Sequence, residues 1–292
     1  MLARMLHHGI SHVVLEVSSH AIDLHRIHGC QFDVGVFTNL SQDHLDYHAD
    51  MYEYFETKTR LFTHHLKADG IAVIGYPQGT GEEGGWSGML ALQCRDRGIQ
   101  ALICGAHPEA DIRLAGFEAD LAGNRMTVAA PGGQFSLCSP LVGRFNADNL
   151  MVALAVAHAL GIPLAKAIPL LAMAQGAPGR LQRVTIGDDT TGPVVLVDYA
   201  HTPDALEKVL AALAALPHRQ LFCVFGCGGD RDAGKRPVMG GVAAQICDVV
   251  IITDDNPRSE RPEAIREQVA AGVAAAGMPC RPVGWLATRD TE

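Results

Sequence analysis

Five clusters of polar residues in this 292-residue chain each sit at the end of a short apolar run. Glu16 lies inside Val13–Val17 and is followed by Ser18, Ser19 and His20. Thr38-Asn39-Leu40-Ser41-Gln42-Asp43-His44-Leu45-Asp46 follows the run that starts at Val34. Asp198–Asp204 follows Val194–Val197, Gly226–Asp232 follows Leu221–Phe225, and Asp254–Arg258 follows Val249–Thr253. Where apolar runs are strands of an open α/β sheet, ligands bind beyond their carboxyl ends. One polar strand end is commonplace; five together form a site pattern. A near-match to the phosphate-binding pattern G-x-x-x-x-G-K-[ST] occurs at Gly229-Asp230-Arg231-Asp232-Ala233-Gly234-Lys235-Arg236. Its last residue is Arg236, which has no hydroxyl for magnesium, and Asp230 and Asp232 would repel a triphosphate. Two readings stay open for it: a turn leading into a helix, or a loop that binds a zwitterion.

The elements that would position these clusters alternate. Strands are expected at Val13–Val17, Val34–Thr38, Ile71–Ile74, Val194–Val197, Leu221–Phe225 and Val249–Thr253. Helices are expected at Asn149–Leu160, Pro203–Leu216, Val238–Ile246 and Pro262–Ala276. Pro203 and Pro262 stand at first helical positions, and Thr202 suits the N-cap before Pro203. This alternation predicts parallel sheets with helices on both faces. Gly105–Leu141 differs, with short β-like pieces at Met126–Ala129 and Phe135–Leu137 between Gly and Pro turns. It reads as an antiparallel insertion. Gly79–Gly88 reads as a surface loop, and Gly176-Ala177-Pro178-Gly179 as a boundary between domains at 1–177 and 178–292.

Composition limits the function. Hydrophobic residues are 48% and charged residues 19%, enough for a buried core and too few charges for disorder. A net charge of −9 argues against a general nucleic-acid binder, while leaving room for small anions held by local Arg and Lys. No apolar run approaches the roughly 20 residues that span a bilayer, and Met1–Gly9 has no apolar signal region. The eight cysteines form no paired framework, so free thiols in a reducing cytoplasm are expected.

Glu16-Val17-Ser18-Ser19-His20, Thr38–His48, Asp198–Asp204, Gly226–Asp232 and Asp255–Arg258, in this order, resemble the Mur ligases of peptidoglycan synthesis. The resemblance runs over nearly the whole chain. It implies an α/β protein holding part of a central ATPase domain, a parallel sheet with an antiparallel insertion, and part of a C-terminal Rossmann-like domain. It also implies an ATP-dependent acid–amino-acid ligase that phosphorylates the D-glutamate carboxylate of UDP-N-acetylmuramoyl-L-alanyl-D-glutamate. The amine of an incoming amino acid then displaces phosphate from the acyl phosphate.

Residue by residue, the resemblance makes Glu16 and His44 ligands of Mg2+, and Lys58 a lysine that is carbamylated; an ammonium cannot bind a cation, whereas its carbamate can. Taken alone, Glu16 is also a surface acid, His44 a capping residue, and Lys58 an ordinary helix-surface lysine. Asn146 and Asn149 match the segment that meets adenine, although Asn146 would equally serve as a helix N-cap. Arg180 resembles an arginine near the nucleotide. Asp198 and His201 resemble residues brought to the ATP phosphates. Ser18 and Arg26 match contacts to the nucleotide-sugar peptide; Leu24 stands where several relatives have a polar residue. Asp255-Asn256-Pro257-Arg258 matches the signature of the branch that adds meso-diaminopimelate, with Arg258 for its distal carboxylate and Arg231 as a second contact. A lysine-adding relative would avoid arginine at 258, because it would repel the terminal ammonium. Taken alone, Arg258 is a solvated loop residue.

Family members also carry a Gly-x-x-Gly-Lys-Thr loop upstream of the Glu16 segment, a UDP-binding domain, and a Gly-Lys-Gly-His-Glu-type segment near their ends. None is found in this sequence. The expectation is therefore a truncated form, inactive or incomplete, cytoplasmic, monomeric, and free of nucleic-acid or membrane partners. The alternative is a non-catalytic remnant that binds a substrate or partner only. Asp255–Arg258 argues against other ligases of the superfamily, such as folylpolyglutamate or cyanophycin synthetases.

Overall fold

The computed structural model describes residues 2–40, 47–77, 85–184, 192–281 and 286–288. In chain order the elements are α1 (Leu2–His7), α2 (Ser19–Asp23), β1 (Phe32–Phe37), α3 (Met51–His64), β2 (Leu66–Tyr76), α4 (Gly85–Asp96), β3 (Gln100–Gly105), β4 (Ile112–Asp120), β5 (Gly123–Ala130), β6 (Gly133–Ser139), α5 (Arg144–Ala159) and α6 (Leu164–Ala172). They continue with β7 (Gln182–Val184), β8 (Val195–Val197), α7 (Pro203–Ala214), β9 (Phe222–Phe225), α8 (Lys235–Ile246), β10 (Val249–Ile252), α9 (Pro262–Ala275), β11 (Cys280–Arg281) and β12 (Leu286–Thr288). The chain divides into two compact units. One comprises Met1–Gly116, Met126–Leu137 and Asp148–Leu171; the other comprises Phe117–Arg125, Cys138–Ala147 and Ala172–Glu292.

A six-stranded sheet runs in the order β1-β2-β3-β4-β5-β6. Its first three strands are parallel, with Val34 opposite Ile71 and Ile71 opposite Gln100. β4, β5 and β6 follow one another through the short connections 121–122 and 131–132, which only antiparallel pairing allows. This is the expected insertion. The first unit's core gathers Phe37, Phe55, Phe62, Ile74 and Leu90, and the two phenylalanine pairs that Phe37 forms meet edge to face. α3 starts cleanly because the Asp50 carboxylate accepts the Glu53 N–H at 2.8 Å, while Glu53 Oε2 accepts the Ala49 N–H at 2.6 Å. Gly85–Gly88, expected as loop, instead form the first turn of α4, where buried Ser87 donates to the Gly75 carbonyl at 2.7 Å. The rest of that expected loop lies outside the described residues.

Val13–Val17 is not a strand. Residues 10–18 join neither helix nor sheet, Val14 is 101% exposed, and β1 is hydrogen-bonded to β2 alone among the described strands. A β-branched run becomes a strand only when a ladder satisfies its backbone, and no described strand pairs with this run.

In the second unit β9 and β10 are parallel, and β12 pairs antiparallel with both β10 and β11. β8 departs from expectation: it pairs antiparallel with β7, Gln182 opposite Val197, and not with the parallel strands. The local partner closes a shorter loop and therefore costs less chain entropy. Thr202 caps α7 as expected, its hydroxyl accepting the Ala205 N–H at 3.3 Å, with Pro203 in the first turn. The core gathers Leu206, Leu210, Met239, Ala243, Val250, Ile252, Ile265 and Val269 from α7, α8, β10 and α9.

Among the described residues every cysteine whose side chain is placed is a free thiol. Burial pushes the Cys94 thiol up to about 11 and the Cys104 thiol up to about 12, whereas Cys138 is exposed. Because the thiolate is the nucleophile, brief iodoacetamide treatment of the native protein is expected to modify Cys138 and spare Cys94 and Cys104 until denaturant is added. Peptide mass mapping reads the difference.

Candidate functional site

In the first unit a buried histidine links the Ser18–Ser19 turn to α3 and Lys58. Ser18 is the N-cap of α2, and its hydroxyl accepts the Ala21 N–H at 3.2 Å. Its neighbour Ser19 is fully buried, and the Ser19 hydroxyl lies 2.9 Å from Nε2 of His48, which is 2% exposed. The His48 ring stacks on Tyr54, centroids 5.1 Å apart, and Lys58 Nζ lies 5.0 Å from the Tyr54 centroid. Tyr54 and Lys58 share a face of α3 because they are four residues apart. Lys58 is therefore not a freely solvated helix lysine; it is half-buried over an aromatic ring. His48 and Tyr54 were missed in the sequence, although the Tyr54–Lys58 spacing could have suggested that pair. Beside them the Asp23 carboxylate accepts from Tyr47 Oη at 2.6 Å and from Arg60 at 2.5 Å, and these bonds, Tyr47 first, hold its pKa below the ordinary carboxylate value.

Arg26 and Leu24 are exposed after α2. Glu16 is exposed within residues 10–18, outside any helix or strand. His44 lies outside the described residues. Among the described residues no group of three or more His, Cys, Asp or Glu side chains could hold a metal ion. The described side chains thus do not by themselves make a magnesium cage.

In the second unit Arg180, Asp198 and His201 gather around the end of β8. The Asp198 carboxylate is occupied by backbone: Oδ2 accepts the Leu181 N–H and Oδ1 the Ala200 N–H, both at 2.8 Å. The carboxylate thereby ties the 179–181 turn to the β8 end. The Arg180 guanidinium lies 5.6 Å from the Tyr199 ring centroid, and the His201 ring packs on the same tyrosine at 5.2 Å. Lys235, which the sequence did not single out, donates to the His201 carbonyl at 2.7 Å. Asn146 is not an N-cap: α5 begins two residues before it, and its side-chain amide donates to the Val142 carbonyl at 2.8 Å. Asn149 is exposed on the same helix.

The sharpest geometry joins Gly226–Asp232 to Asp255–Glu260. β9 and β10 are adjacent and parallel, so their carboxyl ends bring the two loops side by side. The Gly229 N–H donates to the Asn256 carbonyl at 2.9 Å, and Arg258 Nη1 donates to the Gly229 carbonyl. The Asp230 carboxylate accepts from Ser259 N at 3.1 Å and from Ser259 Oγ at 2.7 Å. No side chain could replace Gly229, because a Cβ there would lie 1.8 Å from the Pro257 carbonyl oxygen. Arg231 and Arg258 are exposed at this junction, so two guanidinium groups are available to solvent on neighbouring loops. Arg258 is held at φ +50° and tethered, unlike an ordinary solvated loop arginine.

The near phosphate loop resolves as a turn into α8. The residue where a phosphate loop has its hydroxyl is Arg236, which is wholly buried and paired with Glu260. Its bidentate hydrogen bonds, followed by the Asp230 N–H, push the Glu260 carboxyl down to about 2 from its ordinary 4.5. A depressed folded-state pKa means that the pair's stabilisation is complete above about pH 4.5 and is lost as pH falls towards 2. Urea titrations at pH 6, 4 and 3 should show a falling midpoint for the wild type and a smaller fall for Glu260→Gln.

The chain thus has an α/β fold with polar loops at the carboxyl ends of its parallel strands. Residues 1–157 match the family described as Mur ligase middle domain, and residues 179–291 match Mur ligase, glutamate ligase domain. The chain belongs to the Mur ligase family. It is 42% identical over 275 residues to a UDP-N-acetylmuramoyl-L-alanyl-D-glutamate--2,6-diaminopimelate ligase of Parasynechococcus marenigrum, covering 93% of this chain and 54% of the relative. It is 44% identical over 276 residues to the protein of the same name from Synechococcus elongatus, covering 94% and 53%. The chain thus spans about half the length of the curated relatives it matches. A solved structure bearing that ligase name superposes with a TM-score of 0.63 at 38% identity, covering 89% of this chain and 50% of that one. A Mycobacterium tuberculosis folylpolyglutamate synthase complexed with ADP and AMPPCP superposes with a TM-score of 0.63 at 24% identity, over 83% of this chain and 53% of that one, and shares the fold. Among the described residues no helix is long and apolar enough to cross a membrane.

Proposed function

We propose that this chain carries the amino-acid-binding part and much of the nucleotide-binding part of an ATP-dependent ligase. That ligase adds meso-diaminopimelate to UDP-N-acetylmuramoyl-L-alanyl-D-glutamate in peptidoglycan synthesis, in the cytoplasm and as a monomer. The observation that carries the reading is the tethered pair of loops presenting Arg231 and Arg258. Meso-diaminopimelate has a distal carboxylate that a guanidinium fork can hold in two parallel hydrogen bonds. L-Lysine has an ammonium there, which the same arginines repel.

In the reaction the D-glutamate carboxylate oxygen takes the γ-phosphoryl group of ATP and ADP leaves. The free amine of diaminopimelate then attacks the acyl carbon, loses a proton, and expels phosphate. Binding both anionic reactants next to a triphosphate requires cations and oriented donors. Ser18 and Arg26 would contact the nucleotide-sugar peptide; Asn146, Asn149 and Arg180 the adenine nucleotide; Asp198 and His201 the phosphate region. Asp255, Asn256 and Pro257 shape the loop that aims Arg258. Magnesium would neutralise phosphate charge, and Glu16, His44 and a carbamylated Lys58 are the residues that resemble its ligands.

Calorimetric titration of the purified 292-residue protein with meso-diaminopimelate and, separately, L-lysine tests the reading, alongside an assay of ADP release with all three substrates. Saturable binding of diaminopimelate with weaker lysine binding is expected. Equal affinity for the two, or none for diaminopimelate, would overturn the assignment. Binding without ADP release would leave a substrate-binding protein in place of an enzyme.

A further inference from the structure

We propose that Arg236 is a positioning residue for the amino-acid site: its buried guanidinium locks the Gly226–Asp232 loop against residues 256–260 and so sets where Arg231 and Arg258 present their charge. The ligand part of this proposal rests on the diaminopimelate reading above; the locking of the loops does not. Arg236 itself is 0% exposed and cannot touch a substrate. Three of the described bonds of its fork run to the two loops of the site, and one runs to α9. Nη1 donates to Glu260 Oε2 at 2.8 Å and to Gln268 Oε1 at 2.8 Å. Nη2 donates to Glu260 Oε1 at 2.7 Å and to the Gly228 carbonyl at 3.1 Å.

Glu260 passes the constraint on. Its Oε1 also accepts the Asp230 N–H at 2.6 Å, and its own N–H donates to the Pro257 carbonyl at 3.0 Å. Asp230 in turn holds Ser259 through two bonds, and Gly229 is held by Asn256 while its carbonyl receives Arg258. These bonds close a ring between the two loops, with Arg236 beneath it. Two non-glycine residues in the ring, Asp230 at φ +51° and Arg258 at φ +50°, adopt the left-handed conformation. That conformation is unfavourable for such residues and persists where surroundings over-determine it.

Stability alone does not account for a buried arginine here. A buried ion pair is often no more stabilising than apolar residues of similar volume, and α8 could have packed a methionine at this position. What the fork provides is direction: three bonds from one planar group to two loops and a fourth to Gln268 of α9, which lysine's single ammonium cannot reproduce.

The test compares wild type, Arg236→Lys and Glu260→Gln as 292-residue proteins, with Lys208→Ala, which removes a surface pair to Asp204, as a control. Amide exchange at Gly229 and Asp230 is read by NMR against Val250 and Ile251 of β10, and meso-diaminopimelate and L-lysine affinities by calorimetry. Arg236→Lys is expected to speed exchange at Gly229 and Asp230 selectively and to reduce the preference for diaminopimelate over lysine at least about tenfold. Glu260→Gln should do the same to a smaller degree, and it decides the matter if the lysine variant does not fold. Unchanged protection of the two loop amides in a folded variant would overturn the proposal. So would equal acceleration across the whole second unit, or an unchanged substrate preference with both loops loosened. If wild type binds no diaminopimelate, the substrate reading fails, and the amide comparison alone decides whether Arg236 locks the loops.

Discussion

Replacing Gly272 by alanine is expected to cost the second unit at least about 2 kcal/mol. α8 and α9 cross at glycines. A Cβ on Gly272 would lie 1.8 Å from the Pro237 carbonyl oxygen and 2.6 Å from its carbon, and one on Gly240 would lie 2.1 Å from the Val269 carbonyl oxygen. Both obstacles are backbone, which cannot rotate away. Two effects oppose each other. Alanine is about 1 kcal/mol better than glycine inside a helix. Overpacking costs about 1–3 kcal/mol, and more when backbone has to shift. With overlap this deep the second effect wins. Gly241→Ala is the natural control, because its Cβ would meet nothing nearer than the Gly272 carbonyl oxygen at 3.7 Å. It should be neutral or stabilising by up to about 1 kcal/mol. Urea unfolding followed by far-ultraviolet circular dichroism reads the midpoints at constant slope. A Gly272→Ala midpoint equal to or above that of Gly241→Ala would show that the helices can part without cost.

Arg258→Ala is expected to weaken meso-diaminopimelate binding by about 2 kcal/mol, roughly thirtyfold, and to remove most of the discrimination against L-lysine. The lower end of the range for charged pairs applies because Arg258 is exposed and water screens its charge. Arg258→Lys keeps the charge and loses the fork, so it should fall between alanine and wild type. The alanine variant should fold, since the lost bond to the Gly229 carbonyl lies at the surface and Gly229 keeps its bond to Asn256. Calorimetry with both amino acids separates the outcomes. Diaminopimelate affinity unchanged in Arg258→Ala would remove Arg258 from the site and with it the distal-carboxylate argument. Affinity lost for both amino acids in equal measure would mean that Arg258 supports the loop and does not select between substrates.

Much of this architecture is written in local sequence. Thr202-Pro203 starts α7, alternating Gly and Pro turns mark the β4–β6 insertion, and polar residues after apolar runs mark the loops at strand ends. These signals are legible because each depends on a few neighbouring residues: a hydroxyl for an orphan N–H, a fixed proline φ, a turn that needs no partner. Val13–Val17 shows where that reasoning stops. Its β-branched residues suit a strand, but a strand exists only with a neighbour to pair with, and β8 likewise took β7 in place of the parallel sheet.

From its sequence alone the protein's family and fold class were determined, because residue type and order carry them, and Arg231 and Arg258 were expected contacts on the same grounds. Tertiary structure decided what those residues lean on. Only folding brings Ser19, His48, Tyr54 and Lys58 into one stack, or turns Arg236 inward onto Glu260. The physical reason is separation along the chain: Arg236 and Glu260 are joined by the close crossing of α8 and α9, and a contact that depends on how two helices pack has no local signature.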